Sequence, residues 1–170
     1  MDFVEAIRQY KGYEAALRHI NSEKVQIPDL DHRIENAKGC MENAAQEIVH
    51  RYLVHIVEHD KLDENLVTCL KAITHTYLHM LEVGDKADAT VWDGTLLKRI
   101  AAVNEAQCVQ DGYAEMFCDL VKTDNAVRAM VESRHDDLER ARRDLLIVVL
   151  QAAEAGHQSD TLIRAYNLVR

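Results

Sequence analysis

Two tetrads, Glu47-Ile-Val-His50 and Glu132-Ser-Arg-His135, have the spacing that puts a carboxylate and an imidazole one helical turn apart on the same face. Joined by a Glu from each of two further helices, such tetrads hold the paired iron or manganese ions of ferritin-like bundles. Glu14 and either Glu105 or Glu115 are the bridging acids available. A second arrangement, HTYLH, sets His75 and His79 at i and i+4, a spacing suited to one divalent ion that still needs a third or fourth ligand from another element. Further imidazoles, His50, His55 and His59, crowd the stretch QEIVHRYLVHIVEHD.

Orientation decides what these residues can do, because a buried metal centre needs its acids inside the bundle. Advancing ~100° per residue aligns Ile34, Met41, Ala45, Ile48, Tyr52 and Ile56 on one apolar stripe, and Glu47 falls roughly 130° from its centre. In the later tetrad the stripe is Val127, Val131, Leu138, Ala141, Leu145 and Val149, with Glu132 roughly 140° away. Glu115 faces away from Val109, Tyr113, Phe117 and Leu120. His75 and His79 lie opposite Leu66, Leu70, Ile73, Tyr77 and Leu81. His50 and His55 border their stripe, and His59 falls where an imidazole can bond the last free carbonyls of a helix. These placements predict solvated faces, so no catalytic, cofactor or metal residues are assigned.

Other chemistries have less material. The three serines, at 22, 133 and 159, occupy no strand-to-helix elbow, and the six glycines form no phosphate-binding loop. Asp85, Asp88 and Asp93 do not match the ligand spacing of a calcium loop. Cys40, Cys69, Cys108 and Cys118 are far apart without a CxxC pair, and we expect packed, reduced thiols in a cytosolic protein.

The elements that would carry these residues are helices almost throughout, since apolar residues recur at three and four residue intervals without strict alternation. Six are predicted: about Asp2 to Ile20, Leu30 to His59, Asp63 to Val83, Thr95 to Val121, a fifth capped by Thr123 or Asp124 and running to Ala155, and a short last one capped by Ser159 or Asp160. Pro28 breaks the chain after the first, and Gly156 stops the fifth. The second and third should pair as a hairpin, and the whole reads as an all-α, mostly antiparallel, single-domain bundle.

A charge of −9, from 29 acids against 20 bases, argues against a nucleic-acid partner. The densest basic stretch, RHDDLERARRD, interleaves acids at helical spacing and predicts a salt-bridged exposed face. LLIVVL, residues 145–150, is the longest aliphatic run and far short of the ~20 residues that span a bilayer.

That run nevertheless exceeds what a one-faced helix needs, because it is apolar in every direction around the axis. Either the last helix folds over it through Leu162, Ile163, Tyr166 and Val169, or Leu146, Ile147 and Leu150 meet a partner, with a symmetric homodimer expected first. The sequence thus points to a non-enzymatic, protein-binding helical bundle: an adaptor, regulator or chaperone-like component. Its alternative is the metal-dependent ferritin-like bundle built on Glu47, His50, Glu132 and His135.

Overall fold

The computed structural model describes residues 2–23, 28–58, 63–83 and 91–170. Their regular structure is all helical: α1 Phe3–Glu23, α2 Leu30–Glu58, α3 Glu64–Met80, α4 Trp92–Phe117, a 3-10 turn Leu120–Lys122, α5 Asn125–Glu154 and α6 Asp160–Val169. Among the described residues, no helix is long and apolar enough to cross a membrane. The predicted His59 end of α2, and Asp85 and Asp88, lie outside the described residues.

Side chains placed by the sequence start the helices. Free amide groups at a helix N-terminus need acceptors, and Asp2, Asp63, Asp124 and Ser159 supply them. Asp124 Oδ1 accepts from the amides of Ala126 and Val127 at 2.9 and 3.2 Å, and Ser159 Oγ accepts from Leu162 at 3.1 Å. Gly156, at φ +80°, ends α5. There the His157 amide returns to the Ala152 carbonyl and the Gly156 amide to Ala153, the paired bonds of a left-handed helix stop. An equivalent stop ends α3 at Met80, short of the predicted Val83, with Glu82 at φ +55° in the glycine position.

The chain forms two compact units, Met1–Lys86 and Ala87–Arg170. In the first, α1, α2 and α3 pack on one another. Phe3, Ala6 and Tyr10 of α1, Met41, Ile48 and Tyr52 of α2, and Leu70, Ile73 and Tyr77 of α3 are buried. The stripes read from the sequence therefore face inward here, and each large side chain enclosed contributes roughly 1.5–3 kcal/mol before entropy is charged.

In the second unit α4, α5 and α6 pack mutually, but unequally along their lengths. Buried residues come from the first half of α4 (Trp92, Leu96, Ile100, Val103), from α5 at Leu138 near its middle and at residues 145–153 apart from Ile147, and from α6 (Leu162, Ala165, Tyr166, Val169). The cause is geometric. At ~1.5 Å per residue, the 10 residues of α6 reach only about a third of the way along the 30 of α5.

Candidate functional site

The residues expected at a partner contact sit at the covered end. Leu146 and Leu150 are 1% and 0% exposed, and Ile147 is half-buried. Enclosure by the chain's own helices, the first of the two outcomes left open by the sequence, accounts for Leu146 and Leu150.

The uncovered end has the opposite character. No residue from 104 to 137, all of them described, is buried. The row Ala102, Ala106, Val109, Tyr113 and Met116 advances by alternate steps of four and three residues along α4, and Leu120 takes the next place just past the helix end. Val109, Met116 and Leu120 are 39%, 75% and 50% exposed. This corrects the expectation that Val109 and Leu120 face the interior, whereas Tyr113 and Phe117 of the same stripe are half-buried: α6 is too short to reach this end. The signal was already present in the lengths of the helices.

Polar side chains link α4 to α5 in this half. Gln110 Nε2 donates to His135 Nδ1 at 2.9 Å, and the Arg134 guanidinium lies 5.2 Å from the centre of the Tyr113 ring. Tyr113 and Phe117 rings are 5.8 Å apart. The tip is closed by Arg128, whose side chain donates to the carbonyls of Val121 at 3.1 Å and Lys122 at 3.4 Å, and by the Asp124 cap. The apolar row is therefore carried on a helix whose connection to α5 is capped and hydrogen-bonded. Residues 104–121 contain four acids, Glu105, Asp111, Glu115 and Asp119, and no Lys or Arg. By helical placement, Glu105 and Asp119 edge the row on the side away from α5.

Glu47 and His50 belong to the first unit, Glu132 and His135 to the second. Glu47 Oε1 accepts from Arg51 Nε at 3.1 Å, His135 is held by Gln110, and His50, Glu132, Glu105 and Glu115 are exposed. Among the described residues, no group of three or more His, Cys, Asp or Glu side chains is arranged to hold a metal ion.

His75 and His79, both exposed, look onto a groove of about 380 Å³ against α1, lined also by Lys11, Glu14, Arg18 and Thr76. Glu14 Oε1 accepts from Arg18 Nη2 at 2.7 Å and meets His79 Nε2 at 3.1 Å, while Thr76 donates to the carbonyl of Ala72. His79 is 57% exposed, so water competes for its contact with Glu14. On α1, burial raises the Tyr10 phenol above its ordinary value, with Glu14 adding to the effect.

One cluster escaped the sequence reading. Asp93 Oδ1 meets His157 Nε2 at 2.8 Å and accepts from Ser159 Oγ at 2.8 Å, with Nε2 and Oγ 3.1 Å apart. Nucleophilic catalysis would need the acid and the hydroxyl on opposite ring nitrogens, with the serine proton directed to the imidazole. Here the same nitrogen meets both and the serine proton goes to the acid. The cluster ties the start of α4 to the cap of α6. Hydrogen bonds from His157 first, then Ser159, hold the Asp93 carboxyl below its ordinary range.

The thiols also differ from expectation. All four cysteines are free, but Cys40, Cys108 and Cys118 are exposed rather than packed, and only Cys69 is half-buried. The stretch 134–144 is salt-bridged as predicted, through Arg134–Asp137, Arg140–Asp137 and Arg142–Glu139. Comparison with protein-family models, with curated proteins and with solved structures gives no match to this chain.

Proposed function

We propose that the protein works by binding another protein, as an adaptor, regulator or chaperone-like component, and that the open end of the α4–α5 hairpin is its contact surface. The observation that carries this reading is the run 104–137, which has no buried residue yet displays Val109, Met116 and Leu120 on a helical scaffold. Contiguous exposed apolar side chains on a folded surface are the usual mark of a contact site. The polar groups weighed as candidates support the same reading, since Glu47, Glu14, His135 and Asp93 are each engaged in hydrogen bonds to neighbouring side chains. Free thiols, three of them exposed, suit a reducing compartment such as the cytosol.

A photoreactive amino acid placed at position 116, and at the equally exposed but polar position 140 as control, tests this in cells. Discrete protein adducts from position 116 alone are expected. Equal labelling from both positions, or none from either, would overturn the reading.

A further inference from the structure

We infer that the occupant of the α4 row is a basic amphipathic helix of a partner protein, laid along Val109, Tyr113, Met116 and Leu120. The inference rests on the function proposed above and specifies the chemistry of the partner.

Two independent features select this occupant. The first is the spacing. Alternate steps of four and three residues average 3.5, the period at which a second helix keeps its apolar seam in register by inserting side chains between those of the first. A flat or irregular partner gains nothing from such a row. The small residues Ala102 and Ala106 at its start let another backbone approach closely, while Val109, Met116 and Leu120 supply the bulk. On the other side of the row α5 already occupies α4, through Gln110, His135 and Arg134, so there is room for one added helix along the open side.

The second feature is charge. Positions flanking a helix–helix seam set partner choice by pairing opposite charges across it. Here the free flank carries Glu105 and Asp119, with no Lys or Arg in residues 104–121, while Arg134 of α5, which lies over the Tyr113 ring, is paired with Asp137. A second copy of this chain would bring the same acids against these and be repelled. A helix with Lys or Arg beside its apolar seam answers both the spacing and the charge.

The test uses the intact protein and synthetic helices of about three heptads, all with Leu at the seam, binding being followed by fluorescence anisotropy. One carries Lys at the flanking positions, one carries Glu, and a third has the composition of the Lys peptide with its order scrambled. The Lys helix is expected to bind at least about ten-fold tighter than the other two. Met116→Glu should weaken it about ten-fold or more. The pair Glu105→Gln with Asp119→Asn should weaken it about five-fold at low salt, with little difference at 1 M salt. Because these three residues are exposed, the variants are expected to fold, and unchanged circular dichroism verifies it.

Equal affinity for the Lys and Glu helices would overturn the charge argument while leaving the contact surface intact. Equal affinity for the scrambled peptide would show that charge alone acts and would overturn the seam. Binding of no peptide, with adducts from position 116 joining two copies of this chain, would replace the inference by self-association. Binding of no peptide and no adducts would remove the proposed function as well.

Discussion

The Nε2 atom of His157 lies 2.8 Å from Oδ1 of Asp93, across 64 residues of sequence, and the Ser159 hydroxyl reaches the same oxygen. A carboxylate so held has a folded pKa below its unfolded value, here below 3.8. Its contribution to stability is complete above that unfolded value and is lost as pH falls through the lower folded one. Urea midpoints of the wild type and Asp93→Asn should therefore differ most above pH 3.8 and converge in stronger acid. A constant difference across that window would show that Asp93 acts without its charge. Ser159→Ala, which also removes the α6 cap, should cost about 1 kcal/mol at neutral pH.

The two ends of the second unit should respond oppositely to truncation. Leu146→Ala empties a fully enclosed site and is expected to lose about 2–5 kcal/mol in equilibrium unfolding. Met116→Ala removes a side chain already in water and should change stability by less than about 0.5 kcal/mol. Similar losses at both positions would mean that Met116 is covered.

Backbone protection should follow the same division. Amides in residues 145–153 sit among buried side chains, whereas the α4 and α5 amides between 104 and 137 do not. Hydrogen exchange is expected to be faster in the second group by local opening, while the helical signal of both is retained. Uniform protection along α5 would contradict the one-ended core.

Thiol labelling reads exposure directly. Under native conditions Cys40, Cys108 and Cys118 should react with a maleimide well before Cys69. Peptide mapping of a brief labelling reaction checks the order, and early modification of Cys69 would show that α3 is not packed as described.

Glu82 occupies a left-handed position at the end of α3, at φ +55°. A side chain there is crowded against its own backbone, at a cost of roughly 1–2 kcal/mol that glycine avoids. Glu82→Gly is thus expected to raise the unfolding midpoint; a lower midpoint would mean that this side chain makes a compensating contact.

Most of the secondary structure was legible because its signals are local. Asp63, Asp124 and Ser159 mark helix starts and Gly156 a stop through hydrogen bonds within a few residues. The end of α3 was missed since Glu82 is an unusual residue for its backbone position, and the end of α4 at Phe117 has no Gly or Pro to announce it. Apolar stripes identified which side of a helix faces inward only where a third helix was present to receive it. They held for Ile48 and Tyr77 and failed for Val109 and Leu120, because periodicity carries no information about whether a covering helix is long enough. Asp93, His157 and Ser159 are far apart in the chain at one end of the cluster, so no local pattern could have joined them.

The brevity of α6 has a consequence for how the protein would fare inside a cell. A ligand that associates with the folded chain alone adds to its resistance to unfolding in proportion to ligand supply, and chains that open more often are cleared by proteases sooner. If a partner covers the bare end of the hairpin as proposed, its loss should quicken turnover of this polypeptide, whose steady-state amount would then rise and fall with that of the proposed partner.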